Sequence, residues 1–269
     1  MVLRKLLAFI YKDIINQASY KFAFITQFLG IFFSALTLFY LSRLFGTAVL
    51  PYLKPYEGDY FSFVLIGVAF SRYLEVSLTS FSTSIRTSQM SGTLEAILVT
   101  QTQIPTIVFF SSVYNFVFTS FRVIIYLLFG SLVLGLDIGN ANFMGALLVL
   151  FLTIICFSGF GIMSASFIMV LKKGDPFTWI FTSLSLLLGG VYYPIAVLPD
   201  WMQHVSHLLP ITYSLEGMRL AMLKGCTFKA LCPTLIPLAI FTLVILPVSI
   251  MVFKFAVKRA KMEGSLTHY

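Results

Sequence analysis

Three ionisable residues lie inside strongly apolar stretches of the sequence, where a charged side chain is rare. Arg72 and Glu75 are three positions apart in one stretch, and Arg122 lies in a later one. Residues three apart on a helix are neighbours, so Arg72 and Glu75 can form an ion pair. A charge within hydrocarbon is costly unless it is paired. These residues therefore indicate either a functional role, as a polar lining of a pathway or a conformational latch, or an ion pair that only fixes helix register. The pattern does not choose between these.

Patterns for covalent chemistry do not occur in the sequence. There is no Gly-x-x-x-x-Gly-Lys-Ser/Thr phosphate-binding loop and no Gly-x-Ser-x-Gly element. His204 and His207 could share one helix face, but as a lone pair without a carboxylate they predict no metal site. Cys226 and Cys232 could form a disulfide if they face an oxidising compartment, although two free thiols are the more frequent outcome. We expect the chain not to be an enzyme, so any uphill work must draw on ions or on a partner.

The composition is that of a membrane protein. Of 269 residues, 59% are hydrophobic and 10% are charged, whereas a soluble domain carries roughly 25% charged residues. The mean hydropathy of +0.95 argues against a water-soluble fold, because too little polar surface is left to cover such a core. The net charge is +8, but the basic residues flank the apolar stretches. That distribution indicates orientation in a membrane and not binding to nucleic acid.

Six apolar stretches are candidates for transmembrane helices, since a helix needs roughly 20 apolar residues to cross the hydrocarbon. They cover residues 22–41, 60–81, 104–134, 143–171, 177–192 and 233–255. We predict an all-α integral membrane protein with an amphipathic interface helix over residues 1–21 and a six-span domain over residues 22–269. For the first segment, a cytosolic extension of the first span is the alternative.

Basic residues predict the orientation of these spans. If the N terminus is cytoplasmic, eleven of the 18 Lys and Arg residues fall on the inner side, five on the outer side and two within spans. This bias predicts that both termini are cytoplasmic. The inner connection 82–103 is polar, and Thr93 can cap a short amphipathic helix within it.

The outer connection 193–232 has an unusual composition. It is too apolar for a solvated loop and too often interrupted by proline to span the membrane. We predict two short helices in it, one capped by Asp200 and extending through His207, the other covering residues 212–223. They would dip into the outer leaflet as a re-entrant hairpin between spans five and six, with their irregular backbone packed against protein.

Two sets of residues in these connections are specific enough to compare with known families. The inner connection contains Gly92-Thr93-Leu94-Glu95. The outer connection contains a spaced run: Tyr192, Tyr193, Pro194, Leu198, Pro199, Asp200, Trp201, Leu209, Pro210, Ile211, Thr212, Tyr213 and Arg219. Together, over essentially the whole chain, they resemble the membrane subunit of type-2 ABC exporters. That family usually has a Thr-Pro pair after the inner motif, whereas here Gln101 follows Thr100.

The resemblance implies a permease subunit of an ATP-driven exporter in the plasma (bacterial inner) membrane. Two copies, as a homodimer, or else one copy with a paralogue, would form the pathway in contact with membrane lipid, and two copies of a cytoplasmic ABC ATPase would hold the ATP and magnesium. The chain itself would need no cofactor. The resemblance assigns coupling to the ATPase to Gly92, Thr93, Leu94, Glu95, Ile97 and Leu98. It assigns an outer gate to Tyr192, Tyr193, Pro194, Pro199, Trp201, Pro210, Tyr213 and Arg219.

The short, apolar outer connections favour a small amphipathic substrate of the drug or polyketide type. Export of a lipid-linked polysaccharide of the O-antigen or teichoic acid type is the alternative, because the aromatic-rich third span could serve a polymer. An ion-coupled secondary transporter would require internal repeats and several carboxylates in mid-membrane, and the sequence has neither. A membrane enzyme would require a clustered catalytic set, which is also missing.

Overall fold

The long apolar runs fold as helices, as the sequence predicts. The computed structural model describes residues 21–56, 59–90, 104–171 and 176–262, and every regular element in these ranges is helical. The α-helices are α1 (Lys21–Leu53), α2 (Tyr60–Met90), α3 (Ile104–Leu134), α4 (Phe143–Leu171), α5 (Pro176–Leu188), α6 (Asp200–Ser206), α7 (Pro210–Met222) and α8 (Phe228–Met262). The predicted interface helix over residues 1–21 and the coupling residues 92–98 lie outside the described residues, except for Lys21, where α1 begins.

Five of these helices are long and apolar enough to cross a membrane. Among the described residues, the spanning stretches are Ile25–Leu44, Tyr60–Thr83, Asn115–Leu134, Phe143–Val170 and Phe228–Arg259. The last one begins before the predicted start at Pro233, because α8 continues through that proline. Proline is tolerated in membrane helices when neighbouring groups satisfy the freed backbone. The chain is therefore a multi-pass membrane protein.

The predicted fifth span, residues 177–192, is shorter in the structure. Helix α5 has 13 residues, which corresponds to about 20 Å of helix, whereas the hydrocarbon core is about 30 Å thick. It ends at Leu188 because two glycines follow, and Gly190 has a φ of +74°, which glycine adopts readily. The prediction of six spans is thus not confirmed.

Helix α2 is the centre of the bundle. It packs against α1, α3, α4, α5 and α7, and 78% of its spanning stretch is buried, compared with 6% for α1 and 17% for α8. Its apolar side chains, among them Phe61, Phe63 and Leu65, form much of the main core. The outer surfaces of α1 and α8 expose large apolar side chains such as Leu44 and Leu243, as expected for helices that face lipid.

Residues 189–227, which we call the α6–α7 segment, contain two short helices as predicted, but with different ends. The prediction that Asp200 caps the first helix is wrong: Pro199 is the N-cap residue, and no side chain caps it. Asp200 lies in the first turn, where a carboxylate still interacts favourably with the helix dipole. The second helix begins at Pro210, before the predicted residue 212, because proline is well suited to the first turn of a helix. The re-entrant position of this segment in the membrane stays a prediction.

Candidate functional site

A cavity of about 390 Å³ opens between α1, α2 and α3. We call it the polar groove. Polar residues form much of its wall: Gln27, Ser34, Arg72, Glu75, Thr79, Thr119, Arg122 and Tyr126. The rest of the lining is apolar: Gly30, Ile31, Val68, Ala69, Val76 and Val123. The groove therefore brings together all three ionisable residues that the sequence places inside apolar stretches.

The predicted ion pair between Arg72 and Glu75 forms one edge of the polar groove. Arg72 Nη1 donates to Glu75 Oε2 at 3.0 Å, which confirms the pairing. The two side chains are 59% and 53% exposed within the chain. They are therefore not enclosed by their own subunit, and an ion pair so exposed has to meet water or another protein surface and not hydrocarbon.

Arg122 connects α3 to α1 across the polar groove. Its Nη2 donates to Oε1 of Gln27, and its guanidinium carbon lies 4.3 Å from the centroid of the Phe118 ring. Sequence reasoning missed Gln27. The available signal was a lone carboxamide within an apolar stretch, because such a group needs a polar partner in a membrane.

Hydroxyl and amide side chains fix α2 against α3 beside the polar groove. Tyr73 Oη donates to Ser120 Oγ at 2.9 Å, and Asn115 Nδ2 donates to Ser80 Oγ at 3.2 Å. Hydrogen bonds of this kind between helices hold the wall of the groove in one register.

A second cavity, of about 380 Å³, lies between α2, α4 and α5. We call it the hydroxyl cavity, because most of its lining carries hydroxyl groups: Thr79, Ser82, Thr83, Thr178, Thr182 and Ser183. Glu75 and Thr79 line both cavities. Positions 72, 75, 79 and 83 recur at helical spacing, so α2 carries one polar stripe about 17 Å long.

Arg219, predicted in the outer gate, lies on α7 away from the polar groove. It is 3% exposed, and its Nε and Nη2 donate to the backbone carbonyls of Phe63 and Val191 at 3.1 and 3.0 Å. Its guanidinium carbon also lies 3.4 Å from the centroid of the Phe63 ring. Gly67 makes room for these contacts, because a Cβ there would lie 2.4 Å from Arg219 Nη2. Arg219 thus joins the α6–α7 segment to α2.

Tyr56 completes the surroundings of this arginine from the short turn that follows α1. Its ring lies 5.2 Å from that of Phe63, edge to face, so Phe63 contacts both Tyr56 and Arg219. Burial raises the pKa of Tyr56, and the positive charge of Arg219 offsets part of that rise. Tyr56 therefore stays neutral at physiological pH.

The other residues predicted in the outer gate make mostly local contacts. Tyr193 donates to the carbonyl of Leu187, and Tyr213 donates to that of His207 at 2.9 Å. Tyr60 Oη, on α2, donates to the carbonyl of Tyr192 at 3.0 Å. The remaining residues lie along the same segment: Pro194, Pro199, Trp201 and Pro210. The structure thus brings this set together as one segment but does not place it at the polar groove.

Two further types of site, metal sites and disulfides, were considered among the described residues. No group of three His, Cys, Asp or Glu side chains in the described ranges could hold a metal ion. Cys156, Cys226 and Cys232 are free thiols.

The chain matches the model of a known protein family. The sequence model of the family described as ABC-2 type transporter matches residues 6–223. The matched range includes the lining of both cavities, Arg219 and the predicted coupling residues 92–98. No curated protein matches the chain.

Proposed function

Because the chain belongs to the ABC-2 type transporter family, it is a permease subunit of an ABC transporter, and we propose that it exports a small amphipathic compound of the drug or polyketide type from the cytoplasm. The observation that carries this proposal is the polar groove on a membrane-spanning helix. Its volume of about 390 Å³ falls within the range of small-molecule sites, roughly 300–1,000 Å³.

The two kinds of wall in the groove support an amphipathic substrate. Ile31, Val68 and Val123 offer apolar surface, while Arg72, Arg122 and the hydroxyl groups offer hydrogen bonds. The apolar part of a bound compound can then lie against apolar side chains while its polar group forms hydrogen bonds. No polar group is buried without a hydrogen-bond partner in this arrangement.

The exposed ion pair supports a pathway built from two copies of the chain. Arg72 and Glu75 are more than half exposed within one subunit, and such a pair is costly against lipid. A second copy with the same groove facing it would enclose the pair in a common aqueous path. A homodimer with C2 symmetry is the simplest arrangement of this kind.

The energy for transport would come from two copies of a cytoplasmic ABC ATPase, which would hold ATP and magnesium. In the proposed arrangement, residues 92–98 contact the ATPase as a coupling helix, in the connection that follows α2. Helix α2 is continuous from Tyr60 to Met90 and carries the polar stripe. A displacement of that connection would therefore move the wall of the groove directly.

The test is reconstitution of the chain with the ABC ATPase encoded nearest to it. We expect the two proteins to purify together, and we expect amphipathic compounds to stimulate ATP hydrolysis and to accumulate in inside-out vesicles only when ATP is present. ATP-independent accumulation driven by a sodium or proton gradient would contradict the proposal and favour a secondary transporter. A response only to lipid-linked polysaccharide would replace the proposed substrate with the alternative one.

A further inference from the structure

A row of oxygen acceptors lies along α2 on the wall of the hydroxyl cavity. It includes Glu75, Thr79 and Ser82, which share one helix face by their spacing. The hydroxyl group of Thr79 donates its hydrogen to the carbonyl of Glu75 at 2.8 Å, and that of Ser82 donates to the carbonyl of Thr79 at 3.0 Å. A hydroxyl group has one hydrogen and two lone pairs. Towards the cavity, these two hydroxyl groups can therefore accept hydrogen bonds but not donate them.

Glu75 adds a carboxylate to this row of acceptors. Its Oε2 accepts from Arg72 at 3.0 Å, but Arg72 lines the polar groove and not the hydroxyl cavity. An ionised carboxylate accepts through two oxygens, so Glu75 can accept a further hydrogen bond from a ligand in the hydroxyl cavity. On α5, Trp179 also lines this cavity and is 71% exposed, and the face of an indole ring attracts cations.

These acceptors suit a ligand group that donates hydrogen bonds and accepts none. We infer that the hydroxyl cavity binds the primary ammonium group of an amphipathic compound, and that Glu75 and Thr79 accept its N–H groups. An ammonium group has three donors and no acceptor. Glu75 and Thr79 are one helical turn apart, so their side chains can contact the same group. The inference rests on the proposed function only in that such an amine would be one of the exported compounds.

The position of the hydroxyl cavity suits a compound that enters from the cytoplasm. Thr83, which lines the cavity, is the last residue of the spanning stretch of α2, and the connection that follows α2 is predicted to be cytoplasmic. The volume of about 380 Å³ falls within the range of small-molecule sites. Ile168 and Trp179 offer apolar surface for the alkyl part of the compound.

The test measures binding to the purified full-length chain in nanodiscs of phosphatidylcholine, with binding to empty nanodiscs subtracted. Three probes with the same alkyl chain are compared: dodecylammonium, dodecyltrimethylammonium and dodecanol. The two cations carry the same charge, but only dodecylammonium can donate hydrogen bonds. Since hydrogen bonds to charged groups are strong, we expect dodecylammonium to bind about tenfold more tightly than dodecyltrimethylammonium. We expect dodecanol to bind more weakly than dodecylammonium, because its hydroxyl group is uncharged.

Variants of Thr79 test its role as an acceptor. Thr79→Val keeps the shape of the side chain but removes the hydroxyl group, so it should reduce the preference from about tenfold to about threefold. Thr79→Ser keeps the hydroxyl group and should retain the preference. Thr37→Val is the matched control: Thr37 also donates to the carbonyl one turn before it, that of Phe33, at 2.8 Å, but it lines neither cavity.

Two further variants test the carboxylate and the location. Arg72→Gln combined with Glu75→Gln removes the carboxylate without leaving its cation unpaired, and it should abolish most of the preference. Glu75 and Thr79 line both cavities, whereas Trp179 lines the hydroxyl cavity and not the polar groove. Trp179→Leu should therefore weaken binding of both cationic probes by about threefold and leave their ratio unchanged.

Several results would overturn the inference. Equal binding of the two cationic probes, or tighter binding of dodecyltrimethylammonium, would do so in the wild-type protein alone, whether or not the variants fold. An unchanged preference in Thr79→Val, an equal loss in Thr37→Val, or unchanged binding in Trp179→Leu would also overturn it. Displacement of dodecylammonium by sodium chloride, but not by choline chloride of equal ionic strength, would replace the ammonium site with a site for an inorganic cation.

Phosphatidylethanolamine separates two sources of the ammonium group, because it is a membrane lipid with the same primary ammonium. Its addition to the nanodiscs should displace dodecylammonium if a lipid occupies the cavity. Lack of displacement would favour an exported amine. Both results agree with the inference.

This assay contains no ATPase and no ATP, so its outcome is separate from that of the proposed function. Loss of ammonium selectivity would leave an ATP-driven exporter of other compounds in place. Conversely, selective binding of dodecylammonium without any effect on a co-purified ATPase would contradict the exporter and leave the ammonium site standing.

Discussion

Arg219 and Arg122 are both arginines among membrane helices, but their surroundings differ. Arg219 is 3% exposed and donates to two backbone carbonyls, those of Phe63 and Val191. Arg122 lines a cavity and donates to a side chain, that of Gln27. Each also lies over a phenylalanine ring, at 3.4 Å for Arg219 and 4.3 Å for Arg122.

This difference separates a fixed contact from a less constrained one. Backbone carbonyls cannot rotate away, and no ligand can reach a guanidinium that is enclosed on all sides, so Arg219 serves the fold. A carboxamide side chain can rotate, so the contact between Arg122 and Gln27 at the cavity is less constrained than the contacts of Arg219 with the backbone. The same residue type therefore joins two segments in one region and lines a cavity in the other.

Arg219→Ala should be strongly destabilising. The change removes two charged hydrogen bonds and leaves the carbonyl of Val191 buried without its donor. Such losses cost about 1–3 kcal/mol each, so we expect a total of about 3 kcal/mol. Thermal or denaturant unfolding in detergent micelles measures it.

Arg43→Ala is the matched control for Arg219→Ala, because Arg43 also lies over a phenylalanine ring but is exposed. It should change stability by less than about 0.5 kcal/mol. If Arg219→Ala were as stable as the control, Arg219 would not join the α6–α7 segment to α2. The structural role that distinguishes Arg219 from Arg122 would then be wrong.

Gly67→Ala should weaken the same region by a steric route. The added Cβ would lie 2.3 Å from the carbonyl oxygen of Val191 and 2.4 Å from Arg219 Nη2. Overpacking of this kind costs about 1–3 kcal/mol. Unfolding of Gly30→Ala provides the comparison, because a Cβ on Gly30 would meet nothing within 4 Å; that variant should be neutral or slightly stabilised through helix propensity. Equal stability of the two variants would contradict the close approach of Val191 to α2.

Leu94→Ala and Glu95→Ala should affect transport and not folding. If the connection after α2 drives the wall of the polar groove, each change should lower ATP-driven transport by about tenfold, equivalent to about 1.4 kcal/mol of coupling, while ATP hydrolysis continues. Transport and hydrolysis are measured together in vesicles that contain the ATPase. Gln101→Ala, in the same connection, should keep both activities. Normal coupling in both variants would remove the coupling role of residues 92–98.

The sequence predicts the spans and the ion pair well because both are local properties. Five apolar runs became spanning helices, and the spacing of Arg72 and Glu75 alone brings them together. Prediction from the local sequence failed where an adjacent residue determined the start of a helix. It assigned a cap to Asp200, but the preceding Pro199 fixes the start of that helix.

Contacts between distant positions left no local signal. The site of Arg219 joins residues 63, 191 and 219 from three separate parts of the chain, so no short pattern encodes it. The bond between Arg122 and Gln27 spans 95 positions. The sequence shows Arg122 and Arg219 as polar residues, but it does not show their hydrogen-bond partners, because these depend on which helices pack side by side.

The ion pair of the polar groove should have the smallest effect on stability of the changes proposed. The coupling energy between Arg72 and Glu75 also indicates whether water or a second protein copy covers the groove. Arg72→Gln alone should be more damaging than Arg72→Gln with Glu75→Gln, since the single change leaves one carboxylate without its cation. In the isolated chain the pair is more than half exposed, so a double-mutant cycle on unfolding should give about 0.5 kcal/mol or less. In the bilayer, a second copy that encloses the pair should raise the coupling energy above about 1 kcal/mol.

The control combines Arg43→Gln with Glu75→Gln, whose effects on stability should be additive within about 0.5 kcal/mol. If the double variant of Arg72 and Glu75 were more damaging than Arg72→Gln alone, the pair would have no stabilising role. An equally small coupling in both settings would show that water, and not a second copy, covers this face of α2.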